Sequence, residues 1–290
     1  MSAEPKPCKA PFAYYGGKAG MARRIIDLMP EHRVYIEPFF GSGAVFFAKQ
    51  PARFEIINDL DDAVVTFLRV LRDRTDELEY VCSLSPHARA EFDLCAALDD
   101  PSLDDLERAR RFWVRVNQSF AKTVGGHTGW SITTARTVSV AATALSRIGR
   151  FAPAASRLMW AAVECCPAWE LVDRLATPDS LIYVDPPYLG ETRVGRTNRA
   201  TPYTDYRVDM PTEAEHRALA ESLHATPAKV ILSGYPSALY DELYGDWHRI
   251  DIAVHVHSSN AVTVERGKRT EVLWLNYEPH HGRLDFGGAS

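Results

Sequence analysis

Short apolar runs alternate along the chain with longer stretches that have helical spacing. The apolar runs cover residues 34–37, 54–59, 158–164, 181–184 and 229–233. Amphipathic stretches, such as residues 63–72 and 211–224, separate many of them. Buried strands that alternate with amphipathic helices predict an α/β fold built on a mostly parallel sheet. Two further strands, near His248–His257 and Thr270–Tyr277, are expected to finish the sheet as an antiparallel edge.

The middle of the chain lacks strand signals. From Thr75 to about Met159 the pattern is helical, over residues 75–82, 87–98, 103–116 and 138–150. Because strand signals resume afterwards, we expect this segment to be a helical insertion in the α/β fold. The predicted division of the chain is therefore a first α/β part at residues 11–74, a helical part at residues 75–157 and a second α/β part at residues 158–278.

The overall composition is that of an ordinary globular protein. Hydrophobic residues make up 46% and charged residues 24% of the 290 positions, and the formal net charge is −5. The five cysteines show no CxxC spacing, which indicates a reducing compartment without disulfides or a zinc site. The start of the chain lacks the apolar core of a signal peptide, and no apolar stretch reaches the ~20 residues of a membrane span. We therefore expect a cytoplasmic protein with no metal and no membrane partner.

Positive charge is concentrated in one part of the chain. Residues 108–163 contain nine Lys or Arg residues and no Asp or Glu: Arg108, Arg110, Arg111, Arg115, Lys122, Arg136, Arg147, Arg150 and Arg157. Solvent-exposed helix faces usually mix both signs, so this segregation favours a phosphate backbone as partner. Asn117, Gln118 and Trp130 add base-edge donors, acceptors and a stacking face among the cations. The segment is predicted to bind nucleic acid.

Candidate chemistry is centred on Asp185-Pro186-Pro187-Tyr188, which directly follows a buried apolar run. A carboxylate at the carboxyl end of such a strand lies where open α/β sheets bind ligands. The two prolines fix two φ angles and leave carbonyl acceptors without N–H donors. A rigid pair of acceptors followed by an aromatic ring suits an exocyclic amine on a flat base. The alternative is a strand-ending turn in which Asp185 only caps the next element.

Two glycine-rich segments precede helices in the first third of the chain. In Tyr15-Gly16-Gly17-Lys18, the glycines permit close backbone approach to an anionic group and Lys18 adds a cation, although a plain tight turn is the alternative. The second segment, Pro38-Phe39-Phe40-Gly41-Ser42-Gly43, follows an apparent strand that ends in Glu37. That acid favours a ligand with an ammonium or sulfonium group over a phosphate. Asp59, at the next strand end, is placed to bind ribose hydroxyls.

These motifs occur in an order that resembles the Dam-like DNA adenine-N6 methyltransferases of bacteria and phages. The resemblance rests on the Tyr15–Lys18 segment, the Glu37–Gly43 segment, Asp59 and the Asp185–Tyr188 tetrad, and it extends from about Pro11 to Tyr277. It implies a Rossmann-like S-adenosylmethionine-dependent sheet in which the helical insertion is the target-recognition domain. The expected substrate is double-stranded DNA, whose target adenine is flipped out of the duplex.

The resemblance also implies roles for individual residues. The tetrad, Asp185, Pro186, Pro187 and Tyr188, would be catalytic. Asp185 is expected to bind the cofactor as well, together with Tyr15, Gly16, Gly17, Lys18, Glu37, Pro38, Phe39, Gly41, Gly43 and Asp59. The predicted DNA-binding residues lie in the insertion and are Arg111, Arg115, Asn117, Gln118, Lys122, Trp130 and Arg136.

Two positions depart from the family pattern. Relatives often have Asp at the position of Pro167, where the carboxylate meets the adenine amine of the cofactor. Pro167 offers neither a carboxylate nor an N–H, so another group must recognise that adenine. In the GATC-specific branch a Lys commonly precedes the aromatic-x-Gly-Gly-Lys motif, and Ala13 occupies that position here. This difference argues against a GATC target.

Two other functions are compatible with the same residues. The tetrad could methylate the N4 amine of cytosine, which is a similar exocyclic NH2 group, although the motif order and the Tyr-Gly-Gly-Lys start favour adenine. The chain could also be a DNA-binding regulator or decoy with weak catalysis, which the intact tetrad disfavours. Further expectations are a monomer, a cognate restriction endonuclease as possible partner, and a location in the cytoplasm of a bacterial cell or phage-infected host.

Overall fold

Seven strands form one sheet in the computed structural model, which describes residues 5–120, 122, 124, 129–132, 139–188, 207–255 and 268–279. The strands are β1 (Val34–Glu37), β2 (Phe54–Asn58), β3 (Ala161–Glu164), β4 (Ser180–Val184), β5 (Lys229–Gly234), β6 (His248–His255) and β7 (Lys268–Leu275). Their order across the sheet is β3-β2-β1-β4-β5-β7-β6, with β1 to β5 parallel and the β7 and β6 edge antiparallel. The predicted α/β fold and antiparallel edge are confirmed. The predicted end of the sixth strand, at His257, lies outside the described residues.

Helices connect the parallel strands and fill the middle of the chain. Those in the described residues are α1 (Ala22–Asp27), α2 (Ala44–Ala48), α3 (Asp62–Asp73), α4 (Thr75–Ser83), α5 (Arg89–Leu94), α6 (Asp105–Gln118), α7 (Val140–Ile148), α8 (Phe151–Leu158), α9 (Ala168–Leu175), α10 (Glu213–Ala225) and α11 (Ala238–Leu243). The longer ones begin at side-chain caps. Thr212 and Glu215, for example, form a capping box at the start of α10.

Apolar side chains pack on both faces of the sheet. Strand β4 is buried along its whole length, and its side chains alternate between two clusters. Leu181 and Tyr183 join the larger cluster, whereas Ile182 and Val184 join the smaller one. This alternation follows from the two-residue period of a strand and explains why β4 reads as one continuous apolar run.

The strand order places a crevice between β1 and β4. From β1 the chain proceeds outward to β2 and β3 on one side, and from β4 it proceeds to β5 on the other. The register pairs Ile36 with Ile182, so the carboxyl ends of the two strands lie side by side. In open α/β sheets, the point where the strand order reverses is where ligands bind. Glu37 and Asp185 are therefore brought to one end of the sheet.

The helical middle segment shares its core with the α/β part. Helix α3 packs against α6 and α8, and the Phe67 ring lies 5.4 Å from that of Phe112 and 5.9 Å from that of Phe151. Such edge-on or tilted ring pairs bury large apolar area with favourable geometry. The proposed boundaries at residues 74 and 157 remain predictions.

The predicted strand at residues 158–164 begins too early. Residues 151–158 form helix α8, and the strand starts only at Ala161. Phe151, Ala154, Ala155 and Leu158 are buried at helical spacing, and the apolar residues 158–160 that follow extend the apolar run of β3 backward. Pro153 lies in the first turn, where no intrahelical N–H bond is lost. The whole of α8 was therefore missed by the sequence prediction.

A buried ion cluster joins α8 to the sheet. Glu55, on β2, accepts hydrogen bonds at Oε1 from Lys49 Nζ at 2.6 Å and from Arg157 Nη2 at 2.8 Å, and its Oε2 pairs with Arg157 Nη1. All three side chains are at most 3% exposed. The Arg157 guanidinium also lies 3.9 Å from the Phe46 ring centroid. Burial would raise the pKa of Glu55, but its hydrogen bond with Arg157 and the nearby Lys49 charge outweigh that effect and lower it.

Gly43 is required by the turn between β1 and α2. It is the N-cap of α2 with φ of +64°, and a Cβ there would lie 2.2 Å from Phe40 Cζ. Phe40 is buried against Phe46 and Phe47, so it cannot move away. We expect Gly43→Ala to lower the free energy of unfolding by roughly 2–5 kcal/mol, from overpacking and left-handed strain together. Urea unfolding of the purified variant measures this.

Gly20→Ala is the matched control because a Cβ at Gly20 would have no heavy atom within 4 Å. Its free energy of unfolding should change by no more than about 0.5 kcal/mol, as for other surface substitutions. Equal effects of the two substitutions would contradict the role given to Gly43.

Candidate active site

An open cavity, about 980 Å³ with the solvent space at its mouth included, lies at the carboxyl ends of β1, β2 and β4. Its lining comes mainly from residues 14–18, 37–42, 58–61, 166–169 and 208–210, with single contributions from β4 and the residues that follow it. These segments are far apart in sequence and meet because parallel strands end at the same edge of the sheet. Nearly all of the predicted cofactor-binding residues line this cavity. Gly43 does not line the cavity. It caps α2 in the turn that follows β1.

Three donors converge on one oxygen of Asp185. Asp185 Oδ1 lies 2.9 Å from Lys18 Nζ, accepts a hydrogen bond from Tyr188 OH at 3.1 Å and accepts another from Ser233 Oγ at 2.8 Å. Oδ2 accepts no hydrogen bond from the residues that the structure describes. Because Oδ1 is fixed from three directions, the carboxylate has a defined orientation with its second oxygen available.

Lys18 is a buried cation whose charge is held by neighbouring carboxylates. Its side chain is 4% exposed, and it donates hydrogen bonds to Tyr188 OH at 2.6 Å and to Gly16 O at 3.0 Å. Burial alone would lower the pKa of Lys18. The carboxylate of Asp185, and more weakly that of Glu271 at 3.8 Å, outweigh burial and raise this pKa above its ordinary value. Lys18 is therefore an ammonium ion at neutral pH.

The aromatic ring of the tetrad packs against a second ring. Tyr188 is buried, and its ring centroid lies 4.5 Å from that of Tyr235, with the planes tilted by 57°. Pro186 is buried and Pro187 lines the cavity. The tetrad thus forms a rigid segment from the end of β4 to the Tyr188 ring, as the sequence predicts for two consecutive prolines.

Glu37 ends β1 as a buried acid. It is 2% exposed, and its Oε2 accepts a hydrogen bond from Tyr35 OH at 2.6 Å. Burial raises the pKa of Glu37 to about 8, and the Asp185 charge nearby adds to this effect, although the Tyr35 bond opposes it. At neutral pH the group is mostly neutral in this state, and a cation beside it would favour its ionised form.

Asp59 shapes the turn after β2. Its Oδ2 accepts a hydrogen bond from the Gly41 N–H at 2.7 Å, and its Oδ1 accepts one from the Asp61 N–H at 2.9 Å. Burial raises the pKa of Asp59 to about 7, although both backbone donors oppose this effect. The two bonds tie the glycine-rich turn after β1 to the end of β2. Each oxygen keeps a further lone pair that can accept a ligand hydroxyl.

Several site residues gave no recognisable signal in the sequence. Ser233 is the last residue but one of β5 and reads as part of an apolar strand, yet it contacts Asp185. Glu271, on β7, approaches Lys18 from the antiparallel edge. The pairing of β5 with β4 brings Ser233 to the site and the pairing of β7 with β5 brings Glu271, and only the three-dimensional strand order reveals this. Tyr235, which follows β5, lies against the Tyr188 ring.

Pro167 lies in the cavity lining at the start of α9. The neighbouring polar groups are bonded to one another, because Asn58 Oδ1 accepts from the Cys166 N–H at 3.0 Å and Asn58 Nδ2 donates to Cys166 O at 3.0 Å. This side of the cavity therefore presents no free carboxylate from residues 166–168.

Four of the predicted DNA-binding side chains have partners inside the protein. Arg111 donates to Glu107 at 2.8 Å and to the Ala97 carbonyl at 3.1 Å. Arg115 is 7% exposed, and its guanidinium lies 3.9 Å from the Phe92 ring centroid. Asn117 is fully buried and Gln118 is 2% exposed, and both bond to neighbouring main-chain carbonyls. Arg115, Asn117 and Gln118 thus stabilise the end of α6 here and do not form a DNA-facing surface.

The remaining predicted DNA-binding residues are more accessible. Lys122 is partly exposed and donates to the Asn117 carbonyl at 2.7 Å. Trp130 is partly exposed, and its Nε1 donates to Gln118 Oε1 at 3.1 Å. Arg136 lies outside the described residues.

The segregated charge of residues 108–163 is not a continuous cationic surface. Arg108 pairs with Asp62, Arg110 with Glu91 and Glu107, and Arg157 with Glu55. Arg111 also pairs with Glu107, so four of the nine cations are paired with carboxylates that lie outside residues 108–163. Because Arg115 and Arg157 are also buried, the nine cations do not all lie on one exposed surface.

The described residues contain no group of three or more His, Cys, Asp or Glu side chains positioned to hold a metal ion. Within the same parts of the chain, no helix has the length and apolar character to cross a membrane.

The charge of the cavity fits a cationic ligand. Among its described lining residues there is one cation, Lys18, and there are six carboxyl side chains: Glu37, Asp59, Asp61, Asp185, Asp209 and Glu215. An acidic cavity disfavours a phosphate-bearing nucleotide and favours a ligand that carries ammonium and sulfonium groups. The strand-end acid Asp59 adds an acceptor for ribose. These residues fit S-adenosylmethionine, which combines all three features.

The strand order and this acidic cavity together define a Rossmann-like S-adenosylmethionine-dependent methyltransferase. Comparison with known proteins narrows the class. The chain belongs to the D12 class N6 adenine-specific DNA methyltransferase family, whose model matches residues 14–258.

Two relatives illustrate the similarity. The chain is 26% identical over 278 residues to the Type II methyltransferase M1.LlaDCHI of Lactococcus lactis subsp. cremoris, with 90% of this chain and 93% of the relative covered. It is 25% identical over 262 residues to the Type II methyltransferase M.MjaIII of Methanocaldococcus jannaschii, with 79% of this chain and 85% of the relative covered. The protein is therefore an enzyme that transfers a methyl group from S-adenosylmethionine to adenine N6 in DNA. Membership of this family supports adenine rather than cytosine as the target base, and an enzyme rather than a regulatory decoy.

Proposed function

We propose that Asp185 Oδ2 and the Pro186 carbonyl accept the two N–H groups of the target adenine amine. The observation that carries this proposal is the convergence of Lys18, Tyr188 and Ser233 on Asp185 Oδ1. Preorganised acceptors of this kind need no rearrangement at the moment of reaction. The proposal is tested by the kinetics of Asp185 variants, in which methyl transfer should fail while cofactor binding persists.

In this reaction the main task of the protein is to position the target amine and the acceptors of its N–H groups. The lone pair of an adenine amine is delocalised into the ring, so the amine is a weak nucleophile. Two acceptors on its N–H groups localise that lone pair and stabilise the positive charge that develops on nitrogen. Lys18, an ammonium ion at neutral pH, holds the Asp185 carboxylate in place through Oδ1.

Tyr188 supplies the flat contact for the target base in this proposal. Its hydroxyl bonds to Lys18 and Asp185 fix the ring, and Tyr235 supports it from one side. A stacking contact offsets part of the cost of taking a base out of the duplex, which is a few kcal/mol. Pro187 lines the cavity beside Asp185.

S-adenosylmethionine, when bound, supplies the activated methyl group on its sulfonium. We propose that Tyr15, Gly16, Gly17, Lys18 and Asp185 surround its methionine end, that Glu37, Pro38, Phe39 and Gly41 line its middle, and that Asp59 accepts its ribose hydroxyls. Glu37 is the acid beside the ammonium or sulfonium charge. The support for this arrangement is the shared cavity and its excess of carboxyl groups.

Binding of the product S-adenosylhomocysteine should become tighter as the pH rises from 6 to 7.5. Glu37, with its pKa raised to about 8, is mostly protonated in this range, whereas its pairing with the ligand ammonium requires the carboxylate. Each pH unit below the pKa therefore costs up to ~1.4 kcal/mol of binding, a tenfold rise in Kd. Titration calorimetry at several pH values gives the slope. Asp59, with a pKa of about 7, contributes in the same direction.

The variant Glu37→Gln should flatten this pH dependence without abolishing it, because Asp59 still titrates. Glu31→Gln is the matched control, since Glu31 is exposed and precedes the opposite end of the same strand. An unchanged slope in Glu37→Gln would contradict the role of Glu37.

For the DNA contact we propose the region around Trp130. The exposed Arg89 guanidinium lies 5.2 Å from the Trp130 ring centroid, and Phe120 beside it is 59% exposed. Lys122 and Arg136 belong to the same stretch of sequence. An aromatic and cationic rim of this kind suits a phosphate backbone with unstacked bases. We propose that the helical part, residues 75–157, is the target-recognition domain.

The biological setting is also a proposal. Relatives named as Type II methyltransferases support a restriction-modification role with a cognate endonuclease. Because the substrate is DNA, we place the enzyme in the cytoplasm of a bacterial cell or a phage-infected host. We propose that it acts as a monomer, since a single chain supplies both the cavity and the helical part.

A further inference from the structure

Asp61 lines the cavity, and one of its carboxylate oxygens lacks a hydrogen-bond donor among the described residues. Asp61 is 2% exposed, and its Oδ1 accepts hydrogen bonds from the Ala63 N–H at 3.0 Å and from Arg207 Nε at 2.7 Å. Its Oδ2 is buried and accepts no hydrogen bond from the described residues. A buried acceptor that lacks a donor is destabilising, and more so when it is charged. A donor on a ligand in the same cavity would remove this cost.

The position of Asp61 identifies which part of the ligand it meets. Asp61 follows β2 and begins α3, next to Asp59 and Leu60, which also line the cavity. The Asp61 N–H donates to Asp59, so the two acids share one turn. Glu37 and Asp185, in contrast, lie at the ends of β1 and β4. The end of β2 is where sheets of this type hold the ribose of an adenosine ligand.

The side of the cavity formed by Cys166 and Pro167 offers no carboxylate to the adenine amine of the cofactor. Pro167 has neither a carboxylate nor an N–H, and the Asn58 amide and the Cys166 main chain satisfy each other. Asp59 accepts from the Gly41 and Asp61 N–H groups and keeps one lone pair on each oxygen. Among the described residues at this end of the cavity, Asp61 Oδ2 is the buried side-chain oxygen that accepts no hydrogen bond at all.

We propose that Asp61 Oδ2 accepts a hydrogen bond from a donor on the adenosine half of S-adenosylmethionine. The donor is the adenine amine or a ribose hydroxyl, which offer the same chemistry. This inference rests on the proposed use of the cavity for the cofactor. Arg207 positions the carboxylate, because its guanidinium pairs with Asp61, Asp62 and Asp99 together.

The first test is the Kd of S-adenosylhomocysteine, measured by titration calorimetry on the full chain. In Asp61→Asn the side chain can still cap α3 through its oxygen, while the second oxygen becomes an NH2 group that cannot accept. We expect the Kd to rise at least tenfold. Asp61→Ser, which can also cap the helix but has no second oxygen, should give a similar rise.

Asp62→Asn is the matched control. Asp62 is exposed and also pairs with Arg207, but it does not line the cavity. The Kd of S-adenosylhomocysteine for Asp62→Asn should stay within twofold of the wild-type value. This control separates loss of the ligand contact from loss of an Arg207 ion pair. Thermal unfolding of each variant verifies that the fold is retained.

Ligand analogues identify the donor and test the contact in the unaltered protein. The analogues of S-adenosylhomocysteine each lack one donor, either the adenine amine or one ribose hydroxyl. The wild-type enzyme should bind one of them more weakly than the parent ligand, and the missing donor is then the partner of Asp61. Asp61→Asn should bind that analogue and the parent ligand equally. Equal losses in both proteins for every analogue, or wild-type affinity in Asp61→Asn, would overturn the inference. If the wild-type protein bound no S-adenosylhomocysteine, the proposed cofactor cavity itself would be wrong.

Discussion

Replacing Asp185 with asparagine is expected to lower the single-turnover rate of adenine methylation by ~10²–10³-fold, the effect of removing one preorganised polar contact from a transition state. Asparagine keeps the shape of the side chain. Its oxygen can take the Oδ1 position, where Lys18, Tyr188 and Ser233 donate. Its NH2 group then faces the amine of the target base as a second donor, and the acceptor that localises the lone pair is lost.

Binding measurements separate this catalytic effect from a loss of the cofactor. The Kd of S-adenosylhomocysteine should change far less than the rate, because the proposed adenosine contacts lie at the end of β2. Asp179→Asn is the matched control, since Asp179 is exposed and precedes the amino end of the same strand, β4. A rate within tenfold of wild type in Asp185→Asn would argue against Asp185 as the essential acceptor.

Replacing Arg157 with methionine is expected to destabilise the fold by roughly 3–5 kcal/mol, the cost of breaking a buried ion pair from one side. Arg157 is fully buried, and both of its terminal nitrogens contact Glu55. Methionine fills part of the space but leaves Glu55 with Lys49 as its remaining charged partner. Urea unfolding followed by circular dichroism measures the change in free energy.

An exposed ion pair provides the comparison for Arg157. Arg174 pairs with Glu164 at 3.0 Å, and its side chain is 54% exposed, so Arg174→Met should change stability by less than about 1 kcal/mol. The triple variant Arg157→Met, Glu55→Gln and Lys49→Met removes the whole buried cluster and should recover part of the loss, because no unpaired charge then stays buried. Similar effects of Arg157→Met and Arg174→Met would refute the structural role of the buried cluster.

The parts of the site that follow strand ends could be predicted from sequence. Glu37, Asp59 and Asp185 each come directly after or at the end of an apolar run, and parallel strands present such ends at one edge. The chemistry of that edge therefore follows from the order of elements along the chain. The tetrad was recognisable for the same reason, since two prolines after a strand leave few conformations open.

Contacts between distant elements could not be predicted. Ser233 and Glu271 reach the Asp185 network only because β5 lies beside β4 and β7 lies beside β5. Similarly, the pairing of the cations in the helical segment could not be predicted, because their acidic partners, such as Glu55 and Asp62, precede the segment by many residues. Helix α8 was missed because its buried residues continue the apolar pattern toward β3.

The most direct test of the central claim is to follow a labelled methyl group. DNA that lacks adenine methylation is incubated with enzyme and methyl-deuterated S-adenosylmethionine, digested to nucleosides and analysed by mass spectrometry. The wild-type protein should place the label in N6-methyldeoxyadenosine, and Asp185→Asn should place almost none there. Label in N4-methyldeoxycytidine, or undiminished N6-methyldeoxyadenosine from Asp185→Asn, would contradict the account.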